Sequence, residues 1–151
     1  MTEFIYKGLA QLRHLNVRKE GSEDDKTLVV DVKFRGRIDA TLCSYFDEKL
    51  HDFLFTDGTI VRSPMMDAIG FSNSIEHCEL EALEQRFYGV SLHKFKVRPV
   101  DGGQIELDFT ATFMPDNSEV AVLAEYVLEE IRIEARPEPA LNFGGEQTEA
   151  A

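Results

Sequence analysis

The chain has 151 residues, of which 43% are hydrophobic and 29% are charged, and this predicts one folded domain with a sizeable core. Its formal net charge is −12, and the two cysteines, Cys43 and Cys78, are too few for a disulfide framework. The sequence has no long apolar run and no basic leader, so we expect a cytoplasmic protein that does not engage a membrane.

The first part of the chain predicts two paired strands. Leu15 and Val17 alternate with polar residues, which predicts a strand around Ile5–Arg18, and alternation from Val30 to Arg35 is typical of a half-buried strand. Leucines at three-residue spacing keep a helix possible in the first of these segments. The polar segment Arg18–Lys26 between them predicts an exposed loop.

The middle of the chain predicts a helix that ends at the turn Asp57-Gly58. Ser44, with the acidic Asp47 three residues later, fits a capping box at the start of that helix. Residues 69–83 are ambiguous, but their alternation suits a strand with one acidic edge. One face of the predicted helix carries four apolar side chains: Phe46, Leu50, Phe53 and Leu54.

The best-determined element is a hairpin over Val90–Phe113, which turns at Asp101-Gly102-Gly103. With this three-residue loop, two residues lie opposite each other when their numbers sum to 204. Because cross-strand pairs stabilise sheets, four matched pairs favour this register over a one-residue slip by about 1–3 kcal/mol. The register places the following residues opposite one another: Phe95 and Phe109, Lys96 and Asp108, Val97 and Leu107, Arg98 and Glu106.

The C-terminal part predicts a helix, a last strand and a tail. Asp116-Asn117-Ser118 offers N-caps for the helix, whose inner face would carry Val120, Leu123 and Val127. Alternation over residues 131–136 predicts the strand. The fold class is therefore α+β: a mainly antiparallel β-sheet, sandwich or barrel-like, with two short helices. We expect one domain over residues 1–136 and an acidic, largely flexible tail over 137–151, in which Leu141–Phe143 can dock on another copy or a partner.

Enzyme and metal chemistry find little support in the motifs. His77 and Cys78 are neighbours in a predicted strand and point to opposite faces, so they cannot share an ion, and we expect no metal and no cofactor. A small hydrolase with a Cys–His pair is the third functional hypothesis; the pair would take Cys43 or Cys78 with any of the four histidines. His93 is predicted to be an inward polar residue near the sheet edge.

The charge layout suggests an acidic interaction surface. Residues 111–151 contain nine acidic and two basic side chains, so about a quarter of the chain carries more than half of the net charge. Such a surface repels nucleic acid and favours a basic protein partner. Two acidic sets are the candidate partner-binding residues: Glu125, Glu129 and Glu130, and Glu76, Glu79, Glu81 and Glu84.

A basic sheet face supports the alternative, a protein that binds single-stranded nucleic acid. Two features weaken it: the hairpin register pairs Lys96 and Arg98 with acidic residues, and no aromatic side chain alternates among the outward positions to stack on bases. The six basic residues fall on two predicted strands: Lys33, Arg35 and Arg37, and Lys94, Lys96 and Arg98.

The run Val90–Val97, the hairpin Asp101–Leu107 with Phe109–Phe113, and the segment Glu119–Tyr126 resemble small uncharacterised proteins of phages and prophages. This resemblance implies a place in the host cytoplasm and a role in phage nucleic-acid metabolism or against host defence. The first hypothesis is therefore a non-catalytic, oligomeric interaction protein. It would engage a basic protein either as an inhibitor that mimics DNA or as an accessory factor.

Overall fold

The computed structural model describes residues 3–100 and 102–139. The predictions for residues 140–151, including Leu141–Phe143, lie outside the described residues. The described helices are α1 (Ala40–Cys43), α2 (Leu50–Leu54) and α3 (Asn117–Glu125). The described strands are β1 (Tyr6–Ser22), β2 (Asp25–Ile38), β3 (Phe55–Thr56), β4 (Ile60–Val61), β5 (Ile69–Phe71), β6 (Ile75–Ala82), β7 (Gln85–Val100), β8 (Gln104–Phe113) and β9 (Glu130–Pro137).

Six of these strands form a closed antiparallel sheet, in the order β1–β2–β8–β7–β6–β9 and back to β1. The short strand β5 continues along the edge of β7 beyond β6, and β3 and β4 form a separate small hairpin. This architecture confirms the mainly antiparallel α+β class. Among the described residues, no helix is long and apolar enough to cross a bilayer.

The core fills the inside of the closed sheet, because inward-pointing apolar residues alternate with outward-pointing ones along most of its strands. On β8, for example, Ile105, Leu107 and Phe109 are fully buried. The ring of Phe109 lies 5.6–6.3 Å from those of Phe4, Phe34 and Phe95. The alternating apolar pattern of the sequence is thus the inner face of the sheet.

The predicted hairpin is confirmed in its turn, in its buried pair and in its register near the turn. Gly102 and Gly103 adopt positive φ, and Lys96 lies opposite Asp108. Beyond Lys96 the register shifts by one, so that Lys94 and Phe95 together lie opposite Phe109. This bulge corrects the uniform pairing that the sequence predicts.

The segment Arg18–Lys26 is not a loop. β1 continues to Ser22 and β2 starts at Asp25, so only Glu23 and Asp24 turn the chain. The prediction was wrong because polar residues can pair in a strand that projects into solvent, where no buried face demands apolar side chains.

The helix predicted from Ser44 is also wrong in its bounds. Asp39 caps the short helix α1 through Leu42 N, and Ser44 ends that helix instead of starting one. A second short helix follows at Leu50–Leu54. Phe53 on it is 58% exposed, so the predicted apolar face is not continuous.

The remaining elements follow the sequence more closely. Residues 69–83 form β5 and β6, as the alternation suggests. Asp116 and Glu119 make a reciprocal capping box at the start of α3, and Leu123 on its inner face is fully buried. Pro137 still pairs with Cys78, so the sheet includes the first residue assigned to the tail.

The aromatic cluster predicts where the fold is most sensitive. We expect Phe109→Ala to lower the free energy of unfolding by about 3–5 kcal/mol, because it removes the ring at the centre of the cluster and leaves a cavity. Urea denaturation followed by circular dichroism measures this loss. The matched control is Phe53→Ala, where an exposed ring is lost and we expect a change below about 1 kcal/mol. Equal losses in both variants would contradict the assignment of the core.

Candidate functional site

The outer face of β1, β2, β8 and β7 carries a polar groove of about 590 Å³. Strand pairing aligns its side chains in rows across the four strands. One row joins His14, Lys33, Thr110 and His93, because these residues are successive cross-strand neighbours. The full lining is His14, Asn16, Arg18, Asp31, Lys33, Ser91, His93, Lys94, Lys96, Asp108, Thr110 and Thr112.

The groove brings together the two basic strand faces that the sequence assigns to separate strands. β8 lies between β2 and β7, so the strands that carry Lys33 and Lys96 are two strand spacings apart, or about 10 Å. The sequence does not reveal this proximity, because Lys33 and its β8 neighbour Thr110 are far apart in the chain.

The bulge in β7 decides which side chains enter the groove. Lys94 adopts a φ of 57° and is the extra residue of the bulge. Leu92 and Phe95, although three positions apart, therefore both point inward and are fully buried. As a result His93 faces outward and lines the groove. The prediction that His93 points inward is therefore wrong, because a bulge inverts the alternation on one side of it.

At one end of the groove, Asp31 is held by a cation. Arg18 donates from Nε and Nη2 to the two carboxylate oxygens of Asp31, at 2.9 and 3.2 Å. These hydrogen bonds, together with those from Thr112 and Asn16, outweigh burial and hold the pKa of Asp31 well below its ordinary value. Asp31 is therefore an ionised acceptor whose charge is already paired.

At the other end, Arg35 pairs with Asp108. Its Nε and Nη2 donate to the two carboxylate oxygens at 2.7 and 3.0 Å. Burial alone raises the pKa of Asp108, but the hydrogen bonds and charge of Arg35 dominate and lower it. Lys96 lies opposite Asp108 in register but forms no ion pair with it, which corrects the predicted pairing. The predicted contact between Arg98 and Glu106 is present at 2.9 Å.

Three lysines of the groove stay unpaired. Within the described part of the chain, Lys33, Lys94 and Lys96 make no ion pair or side-chain hydrogen bond. Lys94 and Lys96 are exposed and Lys33 is half-buried. The lining contains four basic and two acidic side chains, so this surface is positive in a chain with an excess of acidic residues.

Hydroxyl groups line the floor of the groove on β8. Thr110 is 8% exposed, and Thr112 Oγ1 lies 2.7 Å from Asp31 Oδ1 and 2.8 Å from His93 Nε2. Sequence reasoning missed these threonines because a threonine on an amphipathic strand is unremarkable. The bulge in β7 did leave a signal in the sequence. Val90 and Leu92 are even-numbered and Phe95 and Val97 are odd-numbered, so the alternation of apolar residues is interrupted between Leu92 and Phe95.

The members of the two acidic sets differ in pairing and exposure. Glu79 is 5% exposed and pairs with Arg86 and Arg136 at 3.2 and 3.4 Å. Its charge is therefore not available to a partner protein. Glu81 also pairs with Arg86. The remaining members are exposed: Glu76, Glu84, Glu125, Glu129 and Glu130. Glu76 also accepts a hydrogen bond from Ser91 at 2.9 Å.

The cysteines are poorly placed for nucleophilic chemistry. Cys43 and Cys78 are both fully buried, and burial raises the pKa of each thiol to about 11. The hydrogen-bond acceptors of the Cys78 thiol are backbone carbonyl oxygens of Ile75 and Glu76. Among the described residues, no group of three or more His, Cys, Asp or Glu side chains is arranged to hold a metal ion.

No protein-family model, curated protein sequence or solved structure matches this chain. The resemblance to phage proteins therefore stays a prediction. The functional interpretation depends on the geometry and charge of the groove.

The pairing of Asp31 predicts a pH-dependent contribution to stability. We expect Asp31→Asn to lower the free energy of unfolding at pH 7 by about 1–3 kcal/mol, because the charged hydrogen bonds to Arg18 are lost. The folded-state pKa is depressed, so this contribution is complete above the unfolded-state value of about 3.9 and declines as the pH falls below it. Urea unfolding of both proteins at several pH values measures the difference.

Asp67→Asn is the matched control, since Asp67 is an exposed carboxylate in the loop between β4 and β5. We expect it to change stability little at any pH. A difference between wild type and Asp31→Asn that stays constant down to strongly acidic pH would rule out the paired carboxylate as its source.

Proposed function

We propose that the protein acts by binding, and that the groove across β1, β2, β8 and β7 holds the sugar–phosphate backbone of single-stranded nucleic acid. One observation carries the proposal: three lysines without ion partners converge on one groove of a chain whose net charge is −12. Unpaired cations on a hydroxyl-lined surface favour a phosphate-bearing ligand.

The shape of the groove favours an elongated polyanion over a compact anion. From Asp108 to Thr112 its floor follows β8 for about 13 Å. Two unpaired lysines, Lys94 and Lys96, lie on the β7 side of this floor, and Lys33 lies on its β2 side. Strands β2 and β7 are about 10 Å apart, so that one phosphodiester chain can lie between these lysines.

The negative net charge does not prevent such binding at physiological salt. The Debye length there is about 8 Å, so acidic side chains more distant than this are largely screened from the ligand. Asp31 and Asp108 are inside the groove, but Arg18 and Arg35 already compensate their charges. The local field at the floor is therefore set by the lysines.

The lining also predicts how selective the site is. Apart from its two histidines, the described lining contains no aromatic ring on which bases can stack. Contacts to phosphate position a nucleic acid without reading its sequence. We therefore expect weak preference among base sequences and a strong dependence on salt concentration.

The binding test compares two triple variants with wild type. We expect Lys33→Gln/Lys94→Gln/Lys96→Gln to weaken binding of a fluorescein-labelled oligothymidylate roughly a hundredfold at low salt, because each lysine neutralises one phosphate. The slope of log affinity against log salt concentration falls by about 0.7 per lost contact in single strands, or about 2 in total. Fluorescence anisotropy over a salt series gives both quantities.

The control variant is Lys7→Gln/Lys26→Gln/Lys49→Gln. It removes the same charge from exposed lysines outside the groove lining and is expected to bind like wild type. Equal weakening by both variants would indicate a net-charge effect. Wild type that leaves the oligonucleotide unbound at low salt contradicts the proposal directly.

A second surface favours a protein partner as the second candidate function. Leu128 is 64% exposed, with φ at 74°, and hydrogen bonds of its backbone to Leu12 and Gln11 hold it in place. Leu9, 48% exposed, and Glu130 line the same cavity of about 750 Å³. Clustered exposed apolar side chains are typical of a surface that binds another protein. The same lining also contains Arg35, Arg37 and Arg132 beside Glu106 and Glu130, so the charge that a basic partner would meet comes from the exposed Glu125, Glu129 and Glu130.

We expect Glu125→Lys/Glu129→Lys/Glu130→Lys to abolish binding of such a partner while the domain stays folded. Only Glu125 lies in the last turn of α3, where its charge opposes the helix dipole, so its reversal stabilises by about 0.3–1 kcal/mol. Pull-down from lysate treated with nuclease measures binding, and thermal unfolding measures stability. A partner retained by the triple variant excludes this acidic set.

A further inference from the structure

A hydrogen-bonded chain in the groove fixes the proton positions of His93. Asp31 is an ionised carboxylate and can only accept hydrogen bonds. Thr112 Oγ1 lies 2.7 Å from Asp31 Oδ1 and therefore donates its single hydroxyl proton to it. His93 Nε2, at 2.8 Å from the same hydroxyl oxygen, must then be the donor to Thr112.

This arrangement gives the imidazole two defined states. In the neutral ring the proton is on Nε2 and Nδ1 is unprotonated. Uptake of a proton at Nδ1 makes the ring a cation and leaves the hydrogen bond to Thr112 intact. Asp31 offsets the new charge only in part, because Arg18 already pairs with that carboxylate and its own charge opposes protonation of His93.

We propose that His93 makes polyanion binding in the groove depend on protons: its protonated ring is a fourth cation beside Lys33, Lys94 and Lys96, so affinity rises as the pH falls. The proposal rests on the proposed function of the groove. It assigns to His93 the role of a ligand-binding residue that responds to pH.

Some charged groups around His93 favour its protonated form and others oppose it. Burial and the neighbouring Lys94 hold the pKa of His93 below its ordinary value in the free protein, so the ring is mostly neutral at neutral pH. A bound polyanion offsets the positive charge of the lysines and favours the protonated ring. The charged and titratable groups that face His93 come from five strands: Lys94 and Lys96 on β7, Asp108 on β8, Asp31 and Lys33 on β2, Arg18 and His14 on β1, and Glu76 on β6.

The direction of the effect follows from linkage. The complex has the higher His93 pKa, so binding takes up a proton at pH values between the two pKa values. At high pH both free and bound rings are neutral, and affinity stops changing. As the pH falls, the gain begins at the pKa of the complex and ends at the pKa of the free protein, which lies below the ordinary histidine value of about 6.5.

The test measures the dissociation constant of fluorescein-labelled oligothymidylate between about pH 8 and pH 5 at constant ionic strength. We expect wild type to gain affinity roughly five- to tenfold toward acid, the worth of one added phosphate contact at low salt. His93→Gln is expected to bind with nearly constant affinity over this range.

A control variant separates His93 from a histidine outside the groove. His77→Gln removes an exposed imidazole outside the groove lining and is expected to keep the gain. A gain that persists in His93→Gln, or one that disappears in His77→Gln, overturns the assignment. Affinity that is constant with pH in wild type overturns this inference but not the groove. A lack of binding at every pH overturns the proposed function as well.

The proton positions have a test that needs no ligand. A long-range proton–nitrogen correlation spectrum of the free wild-type protein distinguishes the two neutral tautomers of His93. We expect the proton on Nε2 at neutral pH, and the same spectrum of Thr112→Val reports whether the hydroxyl selects this state. A neutral ring with its proton on Nδ1 overturns the inference.

Discussion

The pairing of β8 on both of its edges is the constraint on which the structure depends. β2 holds one edge and β7 the other, and without either pairing the six-stranded ring is open. The inward residues of β8 supply the centre of the core, including Phe109. Its outward residues, Asp108, Thr110 and Thr112, form the floor of the groove. Stability and the candidate site therefore share a single strand.

Two partly buried ion pairs convert a mixed surface into a basic one. Asp31 and Asp108 would cancel half of the positive charge of the lining if they faced the lysines directly. Arg18 and Arg35 engage them with two hydrogen bonds each instead, and the planar guanidinium suits this geometry better than a lysine does. Lysine amines, which bind phosphate as mobile point charges, remain available. In this site the arginines pair with the carboxylates, and the lysines remain without ion partners.

The sequence predicts those parts of the fold that depend on residues close together in the chain. The register of the β7–β8 hairpin follows from its turn, and the capping box of α3 follows from Asp116 and Glu119. The sequence predicts a helix from Ser44, whereas Asp39 caps α1 ahead of that position and α2 begins only at Leu50. The end of β1, from Arg18 to Ser22, has the polar sequence of a loop because solvent surrounds it on both faces.

The candidate site was predicted only in part, for a different reason. All three unpaired lysines were among the six basic residues that the sequence singled out. Their convergence depends on the long-range pairing of β2 with β8, which no local pattern encodes. The choice of Arg35 over Lys96 as the partner of Asp108 depends on side-chain geometry across that pairing. The role of His93 depends on a bulge that inverts the alternation.

The bulge at Lys94 also has an evolutionary consequence. His93 lies opposite Thr110 and Phe95 reaches Phe109, and these pairings persist if Lys94 is deleted, because the ladder then becomes regular. The deletion removes a residue at positive φ, so that backbone strain is relieved rather than introduced. A single codon can therefore be lost or gained at this point without a change of fold. Such a deletion would also remove one cation from the groove.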